Sequence, residues 1–340
     1  MGEGGCRPYR HRPLQHRRRG RTGRRADRRR AETGCARTEI RMTLAALRPR
    51  FSGHETFACR FAWLPKAIRL ITRDSRALSD DERAILELGL GKNMVRALRF
   101  WLEAFDVASV EAGTWSLLPF GEAMFGDNGL DPYIERAETQ WLLHWRLSTA
   151  VENPLFAWRH ILYRRMRPDF TRSELLAEMR AEGERLGYEH SDVTLLQHAD
   201  VFIHSYLGSL NPASPEDALD GPLVDLGLLR RLGRRRGADR IEPVFTLTRI
   251  PISEIGVGVV NYAIASYWTA RRAGESVVTF RDLAHGEGSP GATLRMETDD
   301  LRDHLERSPA PWSYRPSGDA GSVIAVADLD PARLLREIYT

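Results

Sequence analysis

Between Phe51 and Phe57 the run Phe-Ser-Gly-His-Glu-Thr-Phe places a hydroxyl, an imidazole and a carboxylate within four residues: Ser52, His54 and Glu55. These are groups that phosphodiester cleavage uses. The hydroxyl can act as a nucleophile, imidazole titrates near neutral pH, and a hard carboxylate suits Mg²⁺ or Mn²⁺. The run therefore predicts catalytic roles for Ser52, His54 and Glu55, with Glu55 as the candidate ligand of a divalent cation. The same residues also spell a helix start, in which Ser52 and Thr56 cap and Glu55 stands three residues after Ser52 as the capping-box partner. The two readings are compatible.

A second group of candidates follows Gly91. Lys92 and Asn93 stand at a predicted helix N-terminus, where free amides and the helix dipole favour a phosphate. Arg96 and Arg99 extend that face at i+4 and i+7 from Lys92. Gly-Leu-Gly-Lys lacks the spacing of a nucleotide-binding P-loop, so the pattern points to backbone contact. Arg234, Arg235 and Arg236, within the basic run from Arg230 to Arg240, read either as further DNA-backbone contacts or as a solvated loop. Arg164, Arg165 and Arg167 are a weaker case of the same kind. Asp200 and His204 lie one helical turn apart with His198 nearby, which invites a metal reading. His198 and His204 fall on different faces, however, and a satisfied polar helix is the stronger reading. Trp141, Trp145 and Trp158 recur at helical spacing and belong to a core.

The elements that must position these groups are mostly helical. Phe61, Leu64, Ala67, Ile68 and Ile71 follow a 3.6-residue period, and Ser79 with Glu82 reads as a capping box for the next helix. That helix stops at Gly89, and another runs from about Gly91 through Met94, Val95, Leu98 and Leu102. A turn at residues 111–114 and a short strand from Trp115 complete the order of a winged helix-turn-helix. Residues 120–250 read as mostly helical, with a capping box at Thr171 and Glu174. From Ile252 a helix, a short helix, a third helix, a hairpin (Trp312–Tyr314 with Val323–Val326) and a terminal helix from Pro331 repeat the winged-helix order. The expected fold is mainly α with a minor β part. It divides into an arginine-rich head (1–41), a winged-helix domain carrying the site (42–125), a helical middle (126–250) and a winged-helix-like C-terminal unit (251–340).

Composition fits a globular protein, with 42% apolar and 28% charged residues. The net charge of +4 is unevenly spread: residues 1–41 hold fourteen arginines against four acids, so the remaining 299 residues stand at −6. The basic pI is thus no argument that the body binds nucleic acid, and binding has to come from local patches. The head has almost no aliphatic residues and is expected to be disordered. A nucleic-acid arm, an arginine-rich transit peptide and a translated extension upstream of Met42 all fit it. The last is favoured because Met42-Thr43-Leu44 begins ordinary globular sequence. Three cysteines (Cys6, Cys35, Cys59) make no disulfide framework, and a reducing, cytoplasmic setting is expected. The apolar stretch from Ile252 to Trp268 is broken by Ser253, Glu254, Asn261 and Ser266, so no membrane span is expected, and no signal-peptide core precedes residue 50.

Phe51 to Phe57, Trp63-Leu64-Pro65-Lys66, Gly89 to Val95, Trp141-Leu142-Leu143-His144-Trp145 and Gly288-Ser289-Pro290-Gly291 together resemble domain-of-unknown-function family 4007. That family includes SspB-like proteins of single-strand DNA phosphorothioation systems. The resemblance runs from about Arg48 to Tyr339. It implies a bacterial cytoplasmic protein of anti-phage defence, a DNA nicking endonuclease acting with a cysteine desulfurase, an ATPase and a sulfotransfer component. A non-catalytic DNA-binding adaptor that recruits the sulfur-transfer machinery stays open beside it, as does a homodimer.

Overall fold

Apolar spacing becomes helix first at α1 (Trp63–Arg73), which turns Trp63, Leu64, Ala67, Ile68, Leu70 and Ile71 inward and ends at extended Asp74. The computed structural model describes residues 49–208, 221–237, 240–307, 311–317 and 321–340; the arginine-rich head lies outside them. Residues 48–340 group as one unit. The N-cap of α1 is Ala62, with no side-chain cap, so the capping role expected of Ser52, Thr56 and Glu55 is not realised. The polar run ends before the helix begins. α2 (Asp81–Leu88) is capped by Asp80, whose carboxylate accepts from the Arg83 amide, and not by Ser79, which is spent in the preceding 3-10 turn. Gly89 closes α2 at φ +65°, a left-handed position that suits a residue without a Cβ.

α3 (Lys92–Ala104) buries Val95, Ala97, Leu98, Phe100, Trp101 and Leu102. The antiparallel hairpin β1 (Ala108–Glu111) and β2 (Thr114–Leu117) follows, then α4 (Pro119–Phe125). The centre of the molecule is α5 (Ala137–Thr149), which is buried on nearly every face, as expected of a helix with apolar residues all round. After it comes α6 (Phe156–Arg159), continuing as a π-helical turn, His160–Arg164. Trp141, Trp145 and Trp158 are at most 2% exposed and belong to the core, as their spacing predicts. His144 joins the layers: its Nε2–H donates to the Thr293 carbonyl (2.9 Å), and its Nδ1 accepts from the Tyr206 hydroxyl (2.7 Å), which accepts from Trp158 Nε1 (2.9 Å).

β3 (Asp169–Phe170) leads into α7 (Arg172–Leu186), which opens with the predicted capping box of Thr171 and Glu174. α8 (Asp192–Leu207) follows. The region to residue 250 is not mostly helical throughout. The basic run forms a strand, β4 (Leu229–Arg236), paired antiparallel with β5 (Ile241–Leu247) in a sheet of order β3-β5-β4. Exposed arginines hide the period-2 pattern of β4, and Pro243 argues against β5 on sequence alone. Pro243 is tolerated because β3 spans only Asp169 and Phe170, which pair with Thr246 and Phe245 and leave that end of β5 open.

The last part contains α9 (Ile252–Ile255), α10 (Val257–Arg271), β6 (Val277–Thr279), α11 (Phe280–His285), α12 (Pro290–Thr293) and α13 (Thr298–Arg307). β7 (Trp312–Arg315), β8 (Ser322–Ala325) and α14 (Pro331–Glu337) close the chain. The expected hairpin is there, and β6 joins it in the order β6-β8-β7. The exposed face of α13 is acidic on balance, with Asp299, Asp303 and Glu306 against Arg307, which pairs with Asp303. Among the described residues the fold is mainly α with three small sheets. Among the described residues no helix is long and apolar enough to cross a membrane.

Candidate functional site

The Phe51–Phe57 segment is a loop fastened at both ends. Upstream, the Arg50 amide donates to the Pro154 carbonyl (2.9 Å) and the Phe156 amide to the Arg50 carbonyl (3.1 Å). Phe51 stacks on Phe156 with centroids 4.4 Å apart and packs on the other side against His190 at 3.8 Å. Downstream, Trp101 Nε1 donates to the Phe57 carbonyl (2.9 Å). Between these anchors the backbone makes a tight turn, closed by Phe57 N–H to the His54 carbonyl at 2.8 Å. Glu55 (φ +48°) and Thr56 (φ +67°) both sit in the left-handed region. Gly53, at φ +108°, is required: a Cβ there would meet the Phe100 ring at 2.8 Å.

His54 faces inward. It is 3% exposed, and its ring stands edge-on to Phe100. Its Nδ1 accepts from the Thr56 amide (3.2 Å), which leaves its proton on Nε2 to donate to His198 Nδ1 at 3.0 Å. His198 then carries its own proton on Nε2, which is buried without a partner among the described residues. Burial lowers the pKa of His54 from 6.5 to about 4 and that of His198 well below the ordinary value, so both are neutral at pH 7. The loop thus turns its imidazole into a structural brace. Ser52 and Thr56 are exposed and Glu55 is half-buried, with no ion pair to Glu55 among the described residues. Spacing alone does not show the His198 brace, which comes from 144 residues downstream.

Lys92 and Asn93 open α3 and are exposed. Its N-cap Gly91 offers no side chain, and the first bonded amide is that of Val95, so the amides of residues 92–94 have no intrahelical partner. Lys92 Nζ is 4.0 Å from Asp81, and Arg96 is exposed without an ion pair among the described residues. Arg99 is different. Its Nε donates to the Leu78 carbonyl (2.7 Å) and its Nη1 to Asp81 (2.7 Å), tying α3 to α2, and this hydrogen bond holds the Asp81 carboxyl below the usual range. The loop meets α3 at Phe100 and Trp101. At 1.5 Å per residue these lie about 12 Å along the axis from Lys92. The two groups therefore do not converge on a single phosphate, though successive phosphates of one strand would span them.

Of the other candidates, Asp200 forms a bidentate pair with Arg172, which together with the His54–His198 pair removes the metal reading of α8. Arg235 is held by Asp169 and Glu174, whereas Arg234 and Arg236 are exposed.

The model of the family described as "Protein of unknown function (DUF4007)" matches residues 51–322, beginning at the first residue of the loop. The chain belongs to this family. Its fold is that of two crystal structures of SspB, one described as magnesium ion-bound. With the magnesium-bound structure the TM-score is 0.74 at 24% identity, over 87% of this chain and 90% of that one. With the other it is 0.73 at 24% identity, over 88% and 90%. At that identity the likeness is one of fold. No protein of curated function matches the chain.

Proposed function

We propose that this DUF4007 protein binds DNA through α3 and cuts one strand at the Phe51–Phe57 loop, as a step in phosphorothioate modification. One observation carries the reading. A loop with two non-glycine residues at positive φ exposes a hydroxyl and a carboxylate, and it is braced on the same helix that presents Lys92, Asn93 and Arg96. Strain of this kind persists where surrounding structure holds it, and it gathers at functional sites. The order of three helices and a hairpin is that of a winged helix, whose third helix contacts the DNA groove. In this reading Lys92, Asn93 and Arg96 hold the backbone, while Ser52 and Glu55 reach the scissile phosphate. His54 fixes the loop and does not serve as the base. The C-terminal unit repeats the order, but acidic α13 would repel DNA, so contact falls to α3.

Among the described residues no three His, Cys, Asp or Glu gather to hold an ion. A Mg²⁺ or Mn²⁺ ion would take Glu55 as its protein ligand, with phosphate oxygens and water completing the shell, a division usual for Mg²⁺. Its chemistry would be charge stabilisation at the phosphorus. The likeness to SspB supports a place in a bacterial, cytoplasmic phosphorothioation system of anti-phage defence, beside a cysteine desulfurase, an ATPase and a sulfotransfer component. The second reading is a non-catalytic DNA-binding adaptor, favoured by the single carboxylate and the neutral His54. Supercoiled plasmid with Mg²⁺ or Mn²⁺ separates the two. The wild type should give nicked circle, and Ser52→Ala plus Glu55→Gln should slow it by a factor on the order of 10² or more. Wild-type protein that binds duplex without nicking leaves the adaptor. Nicking that survives the double substitution removes the loop from the chemistry.

A further inference from the structure

The Gly288-Ser289-Pro290-Gly291 run has no part in the Phe51–Phe57 loop or in α3, and its surroundings show what it positions. Ser289 caps α12, its hydroxyl accepting from the Ala292 amide (3.3 Å). Gly291 lets α12 close on α11, because a Cβ there would meet the Ala284 carbonyl oxygen at 2.5 Å. The Met296 amide donates back to the Gly291 carbonyl (3.1 Å), and this turn holds Arg295 at φ +55°. A non-glycine residue in that region is kept there by its surroundings.

Beside the turn runs the chain that leaves β5. The Ile250 amide donates to the Arg295 carbonyl (2.9 Å), and Ile250 and Met296, both buried, form a parallel bridge. One residue back on each side, Arg249 and Arg295 therefore stand next to each other. Arg249 is exposed and spends one donor, Nη1, on the Met296 carbonyl (2.6 Å). Arg295 is half-buried. Its Nε is enclosed without a partner, and its terminal nitrogens stay accessible with no hydrogen bond among the described residues. Burial first, and the Arg249 charge second, push its guanidinium from 12.5 down to about 10. α11 adds Arg281 and His285, one turn apart and both exposed, and the Arg249 charge reaches His285 as well.

None of these four groups has an ion pair among the described residues. The carboxylates near them are turned elsewhere: Asp282 binds Arg272 (2.9 Å) and Asp300 accepts the Ile252 amide (3.1 Å). Glu297 is exposed, and its charge acts on Arg295 less than that of Arg249 does. Two guanidinium groups side by side, one of them half-buried, cost free energy that no neighbouring acid offsets. An anion between them would offset it, and guanidinium donors fit the oxygens of phosphate. We propose that Arg249 and Arg295, with His285 beside them, seat one phosphate group. The acidic face of α13, which begins two residues after Met296, disfavours a duplex here, so the ligand is small: inorganic phosphate or a nucleotide. The site stands independently of the nicking reading.

Its test is the melting temperature of the full chain with sodium phosphate, or with ATP, against sodium chloride at equal ionic strength. A ligand at about ten times its dissociation constant should raise the wild-type melt by at least about 2 °C. A shift with both ligands assigns the seat to phosphate itself, and a shift with ATP alone assigns it to a nucleotide. Phosphate also stabilises proteins by exclusion from their surface, so the shift is read as the difference from Arg295→Met. That variant keeps an apolar stem and removes the charge. It should melt no lower than the wild type in chloride, because the repulsion is gone, and it should lose the shift. A wild type that neither ligand stabilises overturns the seat. So does an Arg295→Met protein that keeps the shift, or one that melts well below the wild type in chloride, as an arginine needed for folding would. Duplex affinity that depends on Arg295 while neither small ligand binds overturns the small-ligand assignment.

Discussion

Thr56 is β-branched and holds φ at +67°, where a Cβ crowds the following carbonyl. Its amide is fixed by His54 Nδ1 and its side chain is exposed, so the conformation is imposed by the turn and not by the threonine. Asparagine occupies that region more readily, and Thr56→Asn is expected to stabilise the protein by about 1 kcal/mol, measured by denaturant unfolding. A stability unchanged or lowered would mean that the threonine does not strain the turn. The three side chains of the loop differ in how far the sequence revealed them. Ser52 and Glu55 are accessible, as a role in chemistry requires. His54 has the right type for a base but the wrong surroundings, because the ring packing and the His198 partner that keep it neutral come from α3 and α8. Residue type and spacing carry the first kind of information and not the second.

Among the elements, α3 divides its basic residues between two tasks. Arg96 faces solvent, whereas Arg99 binds α2 through Leu78 and Asp81, although both fit one helical stripe in the sequence. Arg96→Gln should leave the melting temperature unchanged and make the salt slope of duplex binding shallower by about 1. Arg99→Gln should instead cost on the order of 1–2 kcal/mol of stability, because it strands a carbonyl and a carboxylate at a helix–helix contact. If the two variants behave alike in both assays, this division is wrong. The boundaries of α1, α2 and α3 were legible because apolar period, capping residue and Gly89 agree. β4 was not, because an edge strand covered in arginines shows no alternation, and a bulge between Arg231 and Gly233 breaks what register there is.

For the molecule as a whole, acid should be the weak side. Burial lowers His54 and His144 from 6.5 to about 4, and His198 further still. The unfolded chain takes up these protons first, so the stability tied to the neutral rings is complete above about pH 6.5 and is lost as pH falls towards 4. Each pKa unit corresponds to about 1.4 kcal/mol, so several kcal/mol are at stake in that window. The melting temperature is expected to be flat from pH 7 to 8 and to drop steadily below 6.5, less steeply in His144→Gln. A flat profile down to pH 5 would show that these rings are not buried neutral. None of this was readable from the ten histidines of the sequence, since it depends on which rings the α5, α6 and α8 core encloses.

The fastening of the loop also limits how the protein can be cut up. Residues 42–125 hold the whole Phe51–Phe57 run, α3 and the hairpin, and look like a portable module. Yet Arg50 is bonded to Pro154 and Phe156, Phe51 is stacked between Phe156 and His190, and His54 is answered by His198. An excised fragment would keep every residue of the loop and its Trp101 anchor, and lose the upstream anchor and the His198 partner. Whatever the loop does is therefore a property of the intact chain, and transplanting it means carrying α6 and α8 along.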